Sequence, residues 1–456
     1  MNMPDFASMT LEQLIDPKGY DCDCGKHHAA DLKYLCIERG AVNKLPEALA
    51  AAGAKKPFVV CDKNTYEAAA KRVDEILTAA GVPHVMYMIP EHGAPKLAPA
   101  ERELGSIIMH FDPSCDFVLA VGGGVINDLC KVTGHATGRL TGIVGTAPSM
   151  DGFASNSSSM EVDDVKSTLY NRTPAVIICD TEIMAQAPMR MLWAGLGDMV
   201  AKYISVCEWR ITKIVNDEYY CEAVADMMRK ALEKIMANAD KLTTRDPDAI
   251  GAIVEGLVLA GLAMSYAEVS RPASGLEHYF SHMWEMMALE RGQEADLHGI
   301  QVGVGTILTM KIYERIKAMT FDRARAEKAM AEFDVAAWEA NVRRVFGKTA
   351  PQVLAIEAKS GKNDPAKHAK RLDVIEAKWD EIQKVIAEEL PSFEYLESAM
   401  KQTGMPMTPA DLGISAQDTV DAFVCSRDIR DKYLSGSFLW DIGRMDEIAE
   451  WLRTIC

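Results

Sequence analysis

Between Pro57 and Cys179 the chain repeats one pattern: a short, almost continuously apolar run, then a stretch with helical periodicity. The runs are Pro57–Cys61, His84–Ile89, Asp116–Val121, Thr141–Thr146 and Pro174–Cys179, and the clearest intervening helices are Thr65–Ala80 and Ile126–Ala136. A strand with one wet face alternates apolar and polar residues, so runs that are apolar throughout need cover on both faces. Such strands separated by helices predict a parallel sheet between two layers of helix, an α/β fold.

After Thr181 the strand signal fades. Amphipathic stretches follow at Met189–Lys213, Glu218–Ala239, Ala249–Val269, Leu276–Leu289 and His298–Met319, which predicts an all-helical second region. At 456 residues the chain exceeds what one core organises, so two domains are expected. We place them at 1–184, an α/β domain, and 185–456, an all-α domain. Ser360–Glu389, rich in Lys, Asp, Glu and Ala, reads as a solvated helical insertion.

A net charge of −17 argues against nucleic acid or an anionic membrane, since both need a basic footprint. No apolar run is expected to reach the ~18–20 residues of a membrane span, and Met1–Asp16 lacks the basic and apolar regions of an export signal. Eleven scattered cysteines are an odd number for a disulfide framework, and reduced thiols in a cytoplasm are expected.

Gly122-Gly123-Gly124 follows an apolar strand and opens a helix. Glycines let a backbone approach a pyrophosphate, and a helix N-terminus offers N–H groups with partial positive charge. The run is not Gly-x-Gly-x-x-Gly, and alone it equally marks a tight turn. Asp62, after an earlier strand, suits the ribose hydroxyls of NAD and would repel a 2′-phosphate; a helix N-cap is the other reading. Thr146-Ala-Pro-Ser149-Met-Asp151-Gly-Phe-Ala-Ser155 suits a loop around a nicotinamide and a hydroxylated substrate, or a plain polar loop.

His278 and His282 are four residues apart and share a helix face. His298 opens the next helix, and Asp198 follows Gly195-Leu-Gly197. Imidazoles with a carboxylate suit a divalent ion with an open coordination position; a satisfied histidine pair and an N-capping aspartate are the plainer readings. Cys22-Asp-Cys24-Gly-Lys-His27-His28 could contribute to a structural zinc, but it lacks an evident second half and reads as strand and turn.

Taken together, these motifs resemble the iron-containing alcohol dehydrogenase and dehydroquinate synthase-like superfamily. Within it they are most similar to the NAD-dependent sn-glycerol-1-phosphate dehydrogenases of the bacterial arabinose-operon type. The similarity runs along nearly the whole chain. It is carried by the Cys-x-Cys-Gly opening, Gly122–Lys131, Thr146–Gly152, Ser274–His282, Ile429–Tyr433 and Trp440–Gly443. The resemblance implies NAD contacts at Asp62, at Gly122, Gly123, Gly124, Val125 and Ile126, at Thr146, Ala147, Pro148 and Ser149, and at Ser155. It implies a substrate-hydroxyl ligand at Asp151, a metal triad of Asp198, His278 and His298, and a substrate-contacting histidine at His282. The family metal is zinc, nickel or iron, the substrate a small phosphorylated polyol or ketone, and the assembly a homodimer. Lys166 and Arg271 stand nearest in sequence as phosphate donors. Alternatives on the same architecture are a glycerol or other polyol dehydrogenase, a dehydroquinate synthase-like lyase, whose triad uses Glu where Asp198 stands, and a non-catalytic NAD-binding protein.

Overall fold

A computed structural model describes residues 3–91, 97–162 and 165–456; the side chains of Val165 and Lys166 lie outside the described set. Six strands form the main sheet: β1 Tyr34–Glu38, β2 Pro57–Cys61, β3 Val85–Met88, β4 Phe117–Gly122, β5 Leu140–Gly145 and β6 Val176–Asp180. Their order is β1-β6-β5-β4-β2-β3 and every pairing is parallel. Strands β2, β4 and β6 are buried along their whole length, as continuously apolar runs require. One face of the sheet packs through Val59, Leu119, Val121, Val144 and Ile178 against Val42, Leu45, Leu49, Val73 and Leu77.

Strand order sets where a ligand can enter. From β2 the chain moves outward to β3, then returns to place β4 on the other side of β2 and continues away. The reversal lies between β2 and β4, and crevices for nucleotides open beyond the carboxyl ends of strands at such a switch. Asp62 follows β2 there and Gly123 follows β4.

The chain divides into two compact units, Met1–Met199 with Cys221–Pro272, and Val200–Tyr220 with Ala273–Cys456. This differs from a cut at residue 184. Helix α1 (Gly124–Thr137) belongs to the same unit as the sheet, and so do α2 (Met189–Val200) except for its last residue, α4 (Glu222–Met236) and α5 (Pro247–Ala267). Helix α5 is drawn into the first unit because it packs on α4, on β1 and on the 3₁₀ turn Asp151–Ala154. A Cβ at Gly261 would come within 2.9 Å of Ala154, and Ser265 Oγ donates to the Ala154 carbonyl at 3.1 Å. Helix α5 is long and apolar enough to cross a membrane, yet 78% of its most apolar window is buried inside the fold. It is a core helix.

The second unit is helical. It holds α3 (Lys202–Asn216), α6 (Leu276–Glu290), α7 (His298–Lys317) and α8 (Pro365–Glu389). The expected Met189–Lys213 helix is interrupted at Ala201, between α2 and α3. The charged stretch expected to be a solvated insertion is not free of the core. Helix α8 buries His368, Leu372, Ile375, Ile382, Val385, Ile386 and Glu389, a stripe at helical spacing, against α3. Arg210 of α3 pairs with Glu388 and Glu389 at its end.

Candidate active site

In the first unit the glycine turn is built by β4 and α1. Gly123 caps α1, and the Thr146 N–H donates to the Gly122 carbonyl at 3.0 Å, tying the loop after β5 to the turn. A Cβ on Gly122 would press within 2.6 Å of Ile126 Cδ1, whereas at Gly123 it would meet nothing nearer than Ser149 Oγ at 3.8 Å. The turn's backbone is therefore open on the side facing Ser149. Asp62 caps the helix after β2: it accepts the Thr65 N–H at 2.7 Å, and Thr65 Oγ1 accepts the Asp62 N–H at 2.9 Å. The N-cap reading is thus a feature of the structure, and it occurs at the switch point.

Ile126, Ala147 and Ser155 are nearly inaccessible, at 2%, 1% and 2% exposed, and back the turn from inside; Thr146 and Pro148 are also buried, and Val125 and Ser149 are half-buried. The polar part of that backing is organised by Lys131, which sequence reading left without a role. Its buried ammonium donates to the Gly152 carbonyl at 3.1 Å, to Ser155 Oγ at 3.4 Å and to the Ser157 carbonyl, and pairs with Asp128 at 3.0 Å. A buried charge needs such a shell of partners. The sequence signal was a lysine on an otherwise apolar helix face. Arg271, at 3% exposed, is also buried.

Helix α2 carries Asp198 into the same loop. A Cβ at Gly195 would overlap the Pro148 carbonyl oxygen, so only glycine lets α2 approach the 146–149 loop this closely. Asp198, fully buried, then accepts the backbone N–H of Asp151 at 2.8 Å.

In the second unit three imidazoles gather on α6 and α7. Ring centroids lie 5.4 Å apart for His278 and His298, 5.5 Å for His282 and His298, and 6.3 Å for His278 and His282. His278 Nδ1 pairs with Glu277 Oε1 at 2.8 Å. His298 Nδ1 meets Ser281 Oγ at 3.0 Å and Glu285 Oε1 at 3.2 Å. Carboxylate partners on Nδ1 turn Nε2 toward a metal and raise its basicity. Glu285 also lies 3.6 Å from His282 Nδ1, so His282, Glu285 and His298 could hold an ion among themselves. Burial holds His282 neutral, well below the ordinary histidine range; Arg430 and His298 add to this against the pull of Glu285. Glu285 escaped the sequence reading, although residues 278, 282 and 285 share one helix face.

Behind this cluster Glu277 Oε1 also accepts the Gly275 N–H at 2.7 Å. Glu208 of α3 accepts the Leu276 N–H at 3.0 Å and the Ser435 N–H at 2.9 Å. Burial, with the charge of Glu277 adding to it, pushes the Glu208 carboxyl up to about 7. No shared period marks Glu208, 69 positions before Glu277, as its neighbour.

Comparison with known proteins sets the class. Residues 36–188 match the family model described as iron-containing alcohol dehydrogenase. The fold is that of glycerol dehydrogenase from Schizosaccharomyces pombe, at TM-score 0.58 and 15% identity over 93% of this chain and 91% of that one. It is also that of maleylacetate reductase from Agrobacterium tumefaciens, at TM-score 0.56 and 13% identity over 91% and 96%. At the level of sequence, the glycerol-1-phosphate dehydrogenase [NAD(P)+] of Halalkalibacterium halodurans is 36% identical over 305 residues, 66% of this chain and 76% of that protein. The corresponding protein of Thermococcus kodakarensis is 31% identical over 59% of this chain and 73% of its own. The chain belongs to the glycerol-1-phosphate dehydrogenase family of the iron-containing alcohol dehydrogenases.

Proposed function

We propose that the chain interconverts dihydroxyacetone phosphate and sn-glycerol 1-phosphate by hydride exchange with NAD, using a divalent ion held by Asp198, His278 and His298. The observation that carries the reading is the anchoring of His278 Nδ1 by Glu277 and of His298 Nδ1 by Ser281 and Glu285. Two imidazoles fixed in this way fit a metal, and zinc, nickel and iron all accept such donors. The open backbone at Gly123, at a sheet switch point, fits a dinucleotide pyrophosphate. Relatives named glycerol-1-phosphate dehydrogenase support the phosphorylated three-carbon substrate.

When bound, the ion supplies Lewis acidity toward the C2 oxygen and the nicotinamide supplies or takes the hydride. The protein's share is positioning. The Gly122–Ile126 turn binds the pyrophosphate by backbone N–H groups, with Val125 at the rim. Asp62 receives the ribose hydroxyls and disfavours a 2′-phosphate. Thr146, Ala147, Pro148 and Ser149 seat the nicotinamide, with Ser155 as their support. Asp151 orients a substrate hydroxyl. His282, kept neutral, hydrogen-bonds a terminal oxygen or moves a proton at that end. Arg271 and Lys166 are our candidates for the phosphate, whose oxygens a planar guanidinium fork can bind in pairs. A cytoplasmic homodimer completes the proposal, and analytical ultracentrifugation tests the assembly.

Following NADH oxidation with dihydroxyacetone phosphate, and separately with dihydroxyacetone, tests the substrate. The phosphorylated ketone should give a kcat/KM at least ~100-fold higher, since losing a charged recognition group typically costs several kcal/mol. The product should resist an sn-glycerol-3-phosphate-specific dehydrogenase. Equal or better turnover of dihydroxyacetone would make the protein a polyol dehydrogenase.

A further inference from the structure

The Cys-x-Cys-Gly segment near the N-terminus finds its missing half across almost two hundred residues. Tyr20–Asp21 and His27–His28 form a short antiparallel hairpin. Its turn is tight: the Gly25 N–H donates to the Cys22 carbonyl at 3.0 Å, the Cys22 N–H to the Lys26 carbonyl at 3.1 Å, and Gly25 takes a φ of 87° that favours glycine. This fold of the turn puts Cys22, Cys24 and His28 on one side, and Cys221, the N-cap of α4, meets them there. Both halves belong to the first compact unit.

The donor atoms have the spacing of a tetrahedral site. All four lie within 4.8 Å of one another. Cys22 Sγ and Cys221 Sγ are 3.8 Å apart, Cys221 Sγ and His28 Nε2 3.5 Å, and Cys24 Sγ and His28 Nε2 3.3 Å. Around a zinc ion with sulfur at about 2.3 Å and nitrogen at about 2.0–2.1 Å, a tetrahedron has sulfur–sulfur edges of about 3.8 Å and sulfur–nitrogen edges of about 3.5 Å. A disulfide would need its sulfurs at about 2.0 Å, so Cys22 and Cys221 are not bonded to each other.

The tautomer is set from outside the cluster. His28 Nδ1 lies 2.9 Å from the Tyr266 carbonyl oxygen, which can only accept. The proton therefore sits on Nδ1, and Nε2 turns its lone pair toward the three sulfurs, as in histidines that ligate zinc. His28 is fully buried and Cys22 and Cys221 nearly so, with the imidazole packed against the rings of Phe6 and Tyr266.

The geometry points to a structural zinc site made by Cys22, Cys24, His28 and Cys221, with four protein ligands and no position open for substrate. On binding, the three thiols release their protons to solvent and three sulfur–zinc bonds and one nitrogen–zinc bond form, with no change in oxidation state. The site fastens the N-terminal hairpin to the start of α4, 193 residues away from His28, in place of a disulfide.

Cobalt(II) exchange into the purified full-length protein tests this without a variant. The triad proposed above contains no sulfur, so a thiolate-to-cobalt charge-transfer band in the near ultraviolet reports on this site alone. We expect that band in the wild-type protein and its loss in Cys221→Ser, together with one equivalent less zinc per chain. Cys24→Ser, at a half-exposed position, should likewise lose one equivalent and show a lower thermal midpoint. A cobalt-loaded wild-type protein without the band would overturn the proposal, as would undiminished zinc in Cys221→Ser. Fewer than eleven titratable thiols in the denatured, metal-free protein would instead assign the pair to a disulfide, and would overturn it as well.

Discussion

The carboxylate of Asp198 accepts the backbone N–H of Asp151 at 2.8 Å, so the proposed metal ligand and the loop that is to hold nicotinamide and substrate are fixed to one another. Asp198→Asn keeps an oxygen that can accept this N–H and removes the negative charge a divalent ion needs. We expect the fold and thermal midpoint to persist while kcat falls by more than ~100-fold, beyond the range typical of losing an outer-shell partner. Circular dichroism and steady-state kinetics measure the two parts; wild-type turnover in this variant would remove Asp198 from the ligand set.

Gly195 is where α2 meets the Pro148 carbonyl. In Gly195→Ala the added methyl can be accommodated only by moving backbone, at a cost of about 1–3 kcal/mol. The loop Thr146–Ser149 should shift with it, and the KM for NAD should rise more than the KM for substrate. An unchanged KM for NAD would mean that the loop's position does not govern the nucleotide.

Asp62 serves two purposes that a suitable substitution separates. Asp62→Asn keeps an acceptor for the Thr65 N–H, now held at 2.7 Å, and so preserves the cap. It removes the charge that would repel a 2′-phosphate. The ratio of kcat/KM for NAD to that for NADP should fall roughly tenfold or more, since one lost charge repulsion of about 1.4 kcal/mol is a factor of ten. A ratio that does not move would leave Asp62 as a cap alone.

Glu208 predicts a pH dependence of stability. Its carboxyl is raised to about 7 in the folded chain by burial, with Glu277 adding to it, against about 4.3 when unfolded. A group raised on folding binds its proton more tightly in the native state. Its favourable contribution is complete below about pH 4.3 and is lost as pH rises through about 7. Glu208→Gln removes that loss. Denaturant melts at pH 5 and pH 7.5 should show wild type losing on the order of 1–3 kcal/mol relative to the variant over this interval. Parallel behaviour of the two proteins would contradict the burial of an ionisable pair here.

Much of this arrangement is legible in the sequence, for definite reasons. Pro57–Cys61 and Phe117–Gly122 announce a buried parallel sheet because every position is apolar; His278 and His282 stand out by residue type and helical spacing, and His298 by opening the next helix. Strand β1 is harder to read because it lies at the sheet edge, where Tyr34, Leu35 and Ile37 are only half-buried. The hairpin Ser157–Val162 with Val165–Tyr170 is mostly polar and carries little strand signal. Helix α5 reads as part of a helical domain because periodicity reports that one face is buried, not against what; its packing on β1 and the Asp151–Ala154 turn is long-range. The same limit hid Cys221 from Cys22, Lys131 from Ser157 and Glu208 from Glu277, since each pair is made by tertiary structure alone.

The most direct measurement is dihydroxyacetone phosphate-dependent NADH oxidation before and after stripping with a chelator and reloading with zinc, nickel or iron(II), in wild type and in His278→Ala. Stripping should abolish turnover of the wild type, at least one of the three ions should restore it, and no ion should restore His278→Ala. Full turnover by the stripped enzyme, or by His278→Ala, would contradict the proposed role of the ion.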